Sequence, residues 1–155
     1  MFSSDVMSIL EAGTSLIVGT VGADGEPRAT RAFALTIVDD DANRVRVVVS
    51  ADDPVAIAHL ETGAIAVTAA DVRTLRSVQL KGRITAVEPS TEQDRQTMDE
   101  HSSLFFQAIA DTDGHELGRT CRMLPLSILS VEFVVDELFN QSPGPGAGSP
   151  VALGR

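Results

Sequence analysis

A chain of 155 residues makes one ordinary domain. Apolar residues are 43% of it, but aromatics are only 4%, with no Trp and no Tyr, so the core must come from Val, Ile, Leu and Ala, a bias that favours strands. The net charge of −10 repels phosphate backbones and anionic bilayers, which argues against nucleic acid and membrane surfaces as partners.

Residues 4–12 read as a short helix with Ser4 as N-cap, a stripe of Val6, Ile9 and Leu10, and Gly13 as stop. Residues 15–22 are apolar and β-branched, a strand. The string Ala23-Asp24-Gly25-Glu26 then supplies a tight turn, because Asp-Gly readily takes positive φ. The return strand covers residues 28–38. Its alternation places Arg31, Phe33, Leu35 and Ile37 on one face and Thr30, Ala32, Ala34 and Thr36 on the other. Gly19, Gly22 and Gly25 spell GxxGxxG, but a strand follows rather than the helix a dinucleotide loop needs, so they read as turn glycines.

A polar turn at residues 39–43 leads to a strand at 44–50, with Val45, Val47 and Val49 against Arg44, Arg46, Val48 and Ser50. Asp52 or Asp53 caps a helix that has Pro54 in its first turn, Ile57 and Leu60 inward, and Gly63 at its end. Residues 64–70 are apolar almost throughout, which predicts cover on both faces. The stretch SVQLKGRITAVEP, residues 77–89, alternates cleanly. Val78, Leu80, Gly82, Ile84 and Ala86 share one face; Ser77, Gln79, Lys81, Arg83 and Thr85 share the other. A mid-strand glycine such as Gly82 marks a bulge or a close approach.

Ser90 and Gln93 form a capping-box pattern for a helix reaching about Asp111, with Met98, Phe105 and Ile109 on one stripe and Leu104 beside it. DTDGHE lacks the Gly and Glu spacing of a calcium loop and reads as that helix's end. Residues 115–123 are ambiguous, with a short helix ended by Pro125 one option. Residues 126–138 are the last strand. Residues 1–140 thus form the domain, and residues 141–155, rich in Pro, Gly and Ser, form a tail with little to bury. Six strands, mostly joined by short turns, suit a small antiparallel barrel with peripheral helices, a mainly β (α+β) class.

Cys121 alone can form no internal disulfide. The opening MFSSDVMSILEAG lacks the apolar core of a signal peptide, and no run approaches the roughly 20 apolar residues of a membrane helix. The expected compartment is the cytoplasm. His59, His101 and His115 have no metal-ligand spacing, and no GxSxG string is present.

The strings LIVGTVGADGEPRATRAF, RVRVVVS followed by PVAIAHLETG, AIAVTAAD and SVQLKGRITAVE, in this order, resemble the pyridoxamine 5′-phosphate oxidase-like family of FMN-binding split barrels, over residues 15–137. The resemblance implies a six-stranded split β-barrel, a homodimer and FMN bound between subunits. It implies that Arg31 and Ser50 meet the phosphate from adjacent strands. Together with Thr30, Ser77, Gln79 and Lys81 they make the expected cofactor-binding set. The family's Ser-Arg-Lys clamp is Pro54-Val55-Ala56 here, Ser77 stands where a flavin-facing Gln is usual, and the C-terminal Trp and Arg associated with pyridoxal phosphate have no counterpart. The implied activity is an FMN-dependent oxidoreductase with no assigned catalytic side chain, acting on a small-molecule substrate. The alternative is a member that has lost FMN and serves as a binding or interaction protein, for haem or another flat ligand. On the residues alone, Arg28, Arg31, Arg44 and Arg46 converge as phosphate donors would, or balance an acidic surface.

Overall fold

A computed structural model describes residues 1–114 and 123–154. Among these the chain forms α1 (Ser4–Leu10), β1 (Ser15–Val21), β2 (Pro27–Asp39), β3 (Arg44–Ser50), α2 (Pro54–Leu60), β4 (Ala64–Ala70), β5 (Ser77–Pro89), α3 (Glu92–Asp113), β6 (Ile128–Asn140) and β7 (Pro150–Val151). The strands run β3-β2-β1-β4-β5-β6-β7, all antiparallel, and β3 also pairs with β6. That last pairing closes six strands into a barrel, which leaves no open edge among them. No described helix is long and apolar enough to cross a membrane. Residues 115–122, including the ambiguous stretch and Cys121, lie outside the described residues.

The inside of the barrel is filled by one side-chain set from every strand. Val18, Val45, Val47, Val67, Leu80, Val131 and Phe133 are fully buried there. This is the Val-rich core that a chain without Trp or Tyr has to build. Strand β5 spans the expected residues, and its Val78 and Leu80 face inward. Gly82 lies at a register shift against β6, where an added Cβ would sit 1.9 Å from the Val134 carbonyl oxygen. Bulge and close approach therefore coincide.

Strand β2 departs from simple alternation. Its ladder with β3 pairs Ala32 with Val49 and then Ala34 with Val48, so Phe33 is an extra residue. Beyond this bulge Leu35 and Ile37 join the interior with Ala32, while Phe33 and Ala34 pack outside beneath α3. Arg31 is thus not on the face of Leu35 and Ile37. It is exposed on the outer surface.

Helix boundaries shift slightly from the sequence reading. Ser3, not Ser4, caps α1. Asp53 caps α2, whose buried residues are Ala56 and Leu60 rather than Ile57. Thr91 and Asp94, not Ser90 and Gln93, make the capping box of α3, and Ser90 instead donates to the Ile128 carbonyl oxygen. The α3 stripe that meets the barrel is Asp94, Met98, Ser102 and Phe106, spaced at one turn, while Leu104 is exposed. Asp94 is tolerable there because Arg46 grips it with two bonds, at 2.8 and 2.9 Å, and its carboxylate also accepts from Thr91. Arg46 also meets Glu132 at 3.0 Å and Glu88 at 3.3 Å. The Arg46 guanidinium, with the Thr91 amide and hydroxyl, holds the Asp94 carboxyl far below the usual carboxylate range.

The tail is packed. β7 pairs with Leu138 and Phe139, Val151 and Leu153 rest on the main core, and the Gln141 amide donates to the Ser77 carbonyl oxygen at 2.9 Å.

Candidate functional site

Direct cross-strand partners point to the same face of a sheet, so the registers give the outer surface row by row. One row runs Arg31, Ile17, Thr68, Gln79, Phe139 across β2, β1, β4, β5 and β6. The next runs Ala29, Gly19, Ala66, Lys81, Glu137. In this second row three neighbouring strands carry only hydrogen or methyl side chains. The result is a shallow trough of about 700 Å³ with Ala29, Gly19, Ala64 and Ala66 as its floor. Lys81, Glu137 and Asp136 border it on one side, and Val21, Pro27 and Arg28 on the other.

Of the expected residues, Arg31, Gln79 and Lys81 share this outer face. Lys81 is exposed, with its Nζ 4.6 Å from the centroid of the Phe139 ring. Gln79 donates from Nε2 to the Thr68 hydroxyl at 3.0 Å, and its carbonyl oxygen has acceptor capacity beyond that bond. Arg31 also lines a small cavity under α3, beside Phe33, His101 and Phe105. Thr30 does not join them. It pairs with the core residue Val18, so its side chain points into the barrel. Ser77 is on the same face but is buried, with Gln141 and Ser142 of the tail against its backbone. Ser50 lies one residue beyond Val49, as Arg31 lies one residue before Ala32, so the two are outward neighbours on β3 and β2.

The candidate arginines separate by their partners. Arg28 is bound to Asp53 at 2.6 Å, and Arg44 and Arg46 face Glu132. Among the described residues, Arg31, Lys81 and Arg95 have no carboxylate within ion-pair distance, and the first two stand on the outer sheet face. An anionic ligand on this face would therefore find two cations without dehydrating an internal pair.

The floor fits a flat ring system; the end near β3 does not fit a phosphate dianion. Asp53 accepts from the amides of Val55 and Ala56, at 3.0 and 3.1 Å, so the first free donors of α2 are already used. The Ser50 hydroxyl accepts from the Asp52 amide, and the Asp52 carboxylate accepts from Ser127 and from the Leu126 amide. Bonding to Ser127 lowers the Asp52 carboxyl and bonding to Arg28 lowers that of Asp53, so both are anions. Two anions stand where FMN would bring a third charged group.

The trough residues Gly19, Ala29 and Ala66 are absent from the sequence-derived site, and Gly19 is no turn residue. A usable signal was present: small residues at one register position of three successive strands. It becomes visible only once the strands are aligned.

No family model matches this sequence, and no curated protein matches it. Likeness appears in three dimensions. HupZ of Group A Streptococcus superposes with a TM-score of 0.58 at 16% identity, over 95% of this chain and 100% of that one. A Nostoc punctiforme protein, pyridoxamine 5′-phosphate oxidase-related and FMN binding, gives 0.52 at 11% identity, over 94% and 89% of the two chains. A Clostridium acetobutylicum protein related to general stress protein 26, of the pyridoxinephosphate oxidase family, gives 0.51 at 15% identity, over 90% and 87%. The chain has the fold of the pyridoxamine 5′-phosphate oxidase-like split barrels.

Proposed function

We propose that this chain is a flavoprotein that lays a flavin, with FMN as the first candidate, on the outer face of β2, β1 and β4 beside β5, and that a second copy of the chain covers the ring. The observation that carries the reading is the floor of small residues Ala29, Gly19 and Ala66 with Lys81 at its end. A planar tricyclic ring needs a flat, close-packed surface, and three successive small residues supply one. The pyrimidine edge of a flavin carries a donor between two acceptors, and the Gln79 carbonyl with the Thr68 hydroxyl offers complementary groups in the adjoining row.

Homodimerisation belongs to the same proposal. Strand β4 buries Ile65, Val67 and Ala69 inward, while Ala64, Ala66, Thr68 and Ala70 are left partly or wholly open outward. Ile17 and Val21 are exposed beside them. A second copy on this surface would give β4 the cover its composition predicts. With one cysteine and no disulfide to maintain, the cytoplasm is the proposed compartment.

A bound flavin supplies two-electron redox chemistry, and the protein's share is orientation and charge. Lys81 places a cation at the ring's edge, where it would stabilise negative charge. The oxidoreductase reading rests on that role and needs no further acid or base. A second reading is a binding protein for a flat ligand other than FMN, haem among them; Asp52 and Asp53 support it only by opposing a phosphate, and haem's own propionates would have to lie away from them.

The test uses Gly19→Leu. The nearest atoms to an added Cβ are the Ala66 carbonyl oxygen and Cβ at 3.8 and 3.9 Å, so the strand accepts a side chain while the trough is filled. The variant should melt like the wild type and lose flavin binding at least tenfold by fluorescence titration, with sedimentation of wild type giving a dimer. Unchanged binding of FMN by Gly19→Leu would move the ligand elsewhere.

A further inference from the structure

Resting on the flavin reading, we infer that Asp53 is a specificity-determining residue which removes selectivity for the flavin's phosphate, so that the site takes the ring with a neutral side chain, as in riboflavin, as readily as FMN. Arg28 is among the residues that line the trough at its β2 edge, and its side chain, opposite Thr20 in the ladder, leaves that edge towards the start of α2. Its guanidinium is already held by Asp53 at 2.6 Å. The same carboxylate takes the Val55 and Ala56 amides. One internal anion thus occupies both kinds of donor that a phosphate would use, and displacing it would leave a second anion nearby.

The surroundings agree. Asp52 adds a further carboxylate beside Ser50, fixed by Ser127 and the Leu126 amide. Exposed apolar side chains, Val55 and Leu126, also flank these acids. Arg31 is the outward neighbour of Ser50, whose hydroxyl accepts from the Asp52 amide, so a phosphate drawn to Arg31 would come up beside the Asp52 carboxylate. A ribityl chain ending in a hydroxyl meets no such opposition, since hydroxyl groups can donate to either carboxylate.

The experiment titrates purified protein with FMN, riboflavin and lumiflavin by flavin fluorescence, for wild type and Asp53→Asn. Asn is as good an N-cap as Asp, so α2 keeps its start while Arg28 is released. Wild type should bind FMN and riboflavin within about threefold of each other. Asp53→Asn should tighten FMN about tenfold, the scale of a partly screened charge contact, and leave riboflavin and lumiflavin unchanged. A wild-type preference for FMN of tenfold or more overturns the inference and leaves the flavin site standing. Equal response of all three ligands to Asp53→Asn also overturns it. Failure of all three flavins to bind wild type overturns the flavin reading itself, and the inference with it.

Discussion

Gly82→Ala tests whether the close backbone contact that shapes the trough is as tight as the structure has it. Gly82 lines the trough and opposes Val135 across the β5–β6 ladder. Its missing Cβ would lie 1.9 Å from the Val134 carbonyl oxygen, 2.8 Å from that carbonyl carbon and 3.1 Å from the Val135 Cα. All three are backbone atoms, so no rotamer can relieve the contact. The two strands must part by about 1 Å at a bulge inside a closed barrel, a strain of the overpacking kind worth about 1–3 kcal/mol, with a ladder bond of about 1 kcal/mol weakened as well. Taking about 3 kcal/mol in total, the melting temperature should fall by about 6–12 °C for a chain of this size. Circular dichroism at the strand band gives the readout. Gly19→Ala is the control from the same trough: its nearest contacts, at 3.8 and 3.9 Å, are ordinary, and the smaller unfolded-state entropy makes it neutral or slightly stabilising. If Gly82→Ala melted within about 2 °C of wild type, the β5–β6 contact would have slack and the bulge would not fix the trough.

Two further outcomes are expected. Removing residues 141–155 should lower the melting temperature by about 4–8 °C, because the partial burial of Val151 and Leu153 and the β7 ladder together contribute about 2 kcal/mol; an unchanged melt would show the tail to be idle. His101 donates from Nε2 to the Thr14 carbonyl oxygen at 2.8 Å, and burial pushes its pKa below the ordinary histidine range. Arg31 lines the same cavity, and Glu11 and Glu100 line the neighbouring cleft. A depressed histidine contributes stability that is present above about pH 6.5 and lost as pH falls through its folded value. His101→Gln should therefore flatten the acid limb of melting temperature against pH below 6.5, and an unaltered limb would assign that limb to other groups.

The sequence was most legible where one face of an element is buried and the other is not. Strands β3, β4 and β5 start and stop where alternation says, because a one-residue slip would turn every core valine outward. Alternation failed at β2, since a bulge reverses it and Phe33 carries no local mark of being the extra residue. The α3 stripe was hidden for a different reason: Asp94 and Ser102 are polar, and Asp94 becomes a core-facing residue only because Arg46, distant in sequence, comes to meet it. The tail looked empty because two apolar residues among prolines and glycines are a weak pattern, and their burial depends on the end of a barrel that has to form first.

The candidate site was legible in its charges and illegible in its floor, and the acidic balance of the chain explains both. With 22 acidic and 12 basic residues, most cations find a carboxylate, so an arginine's presence near a strand end says little about ligands. Arg28, Arg44 and Arg46 are all accounted for within the chain. What singles out Arg31 and Lys81 is their lack of such partners among the described residues, which depends on the register of strands that meet only after folding. The same holds for Ala29, Gly19 and Ala66, each unremarked alone and a continuous surface once aligned. A ligand that reads this face meets shape first and charge second. That order is why the ring, more than the phosphate, is expected to decide what binds.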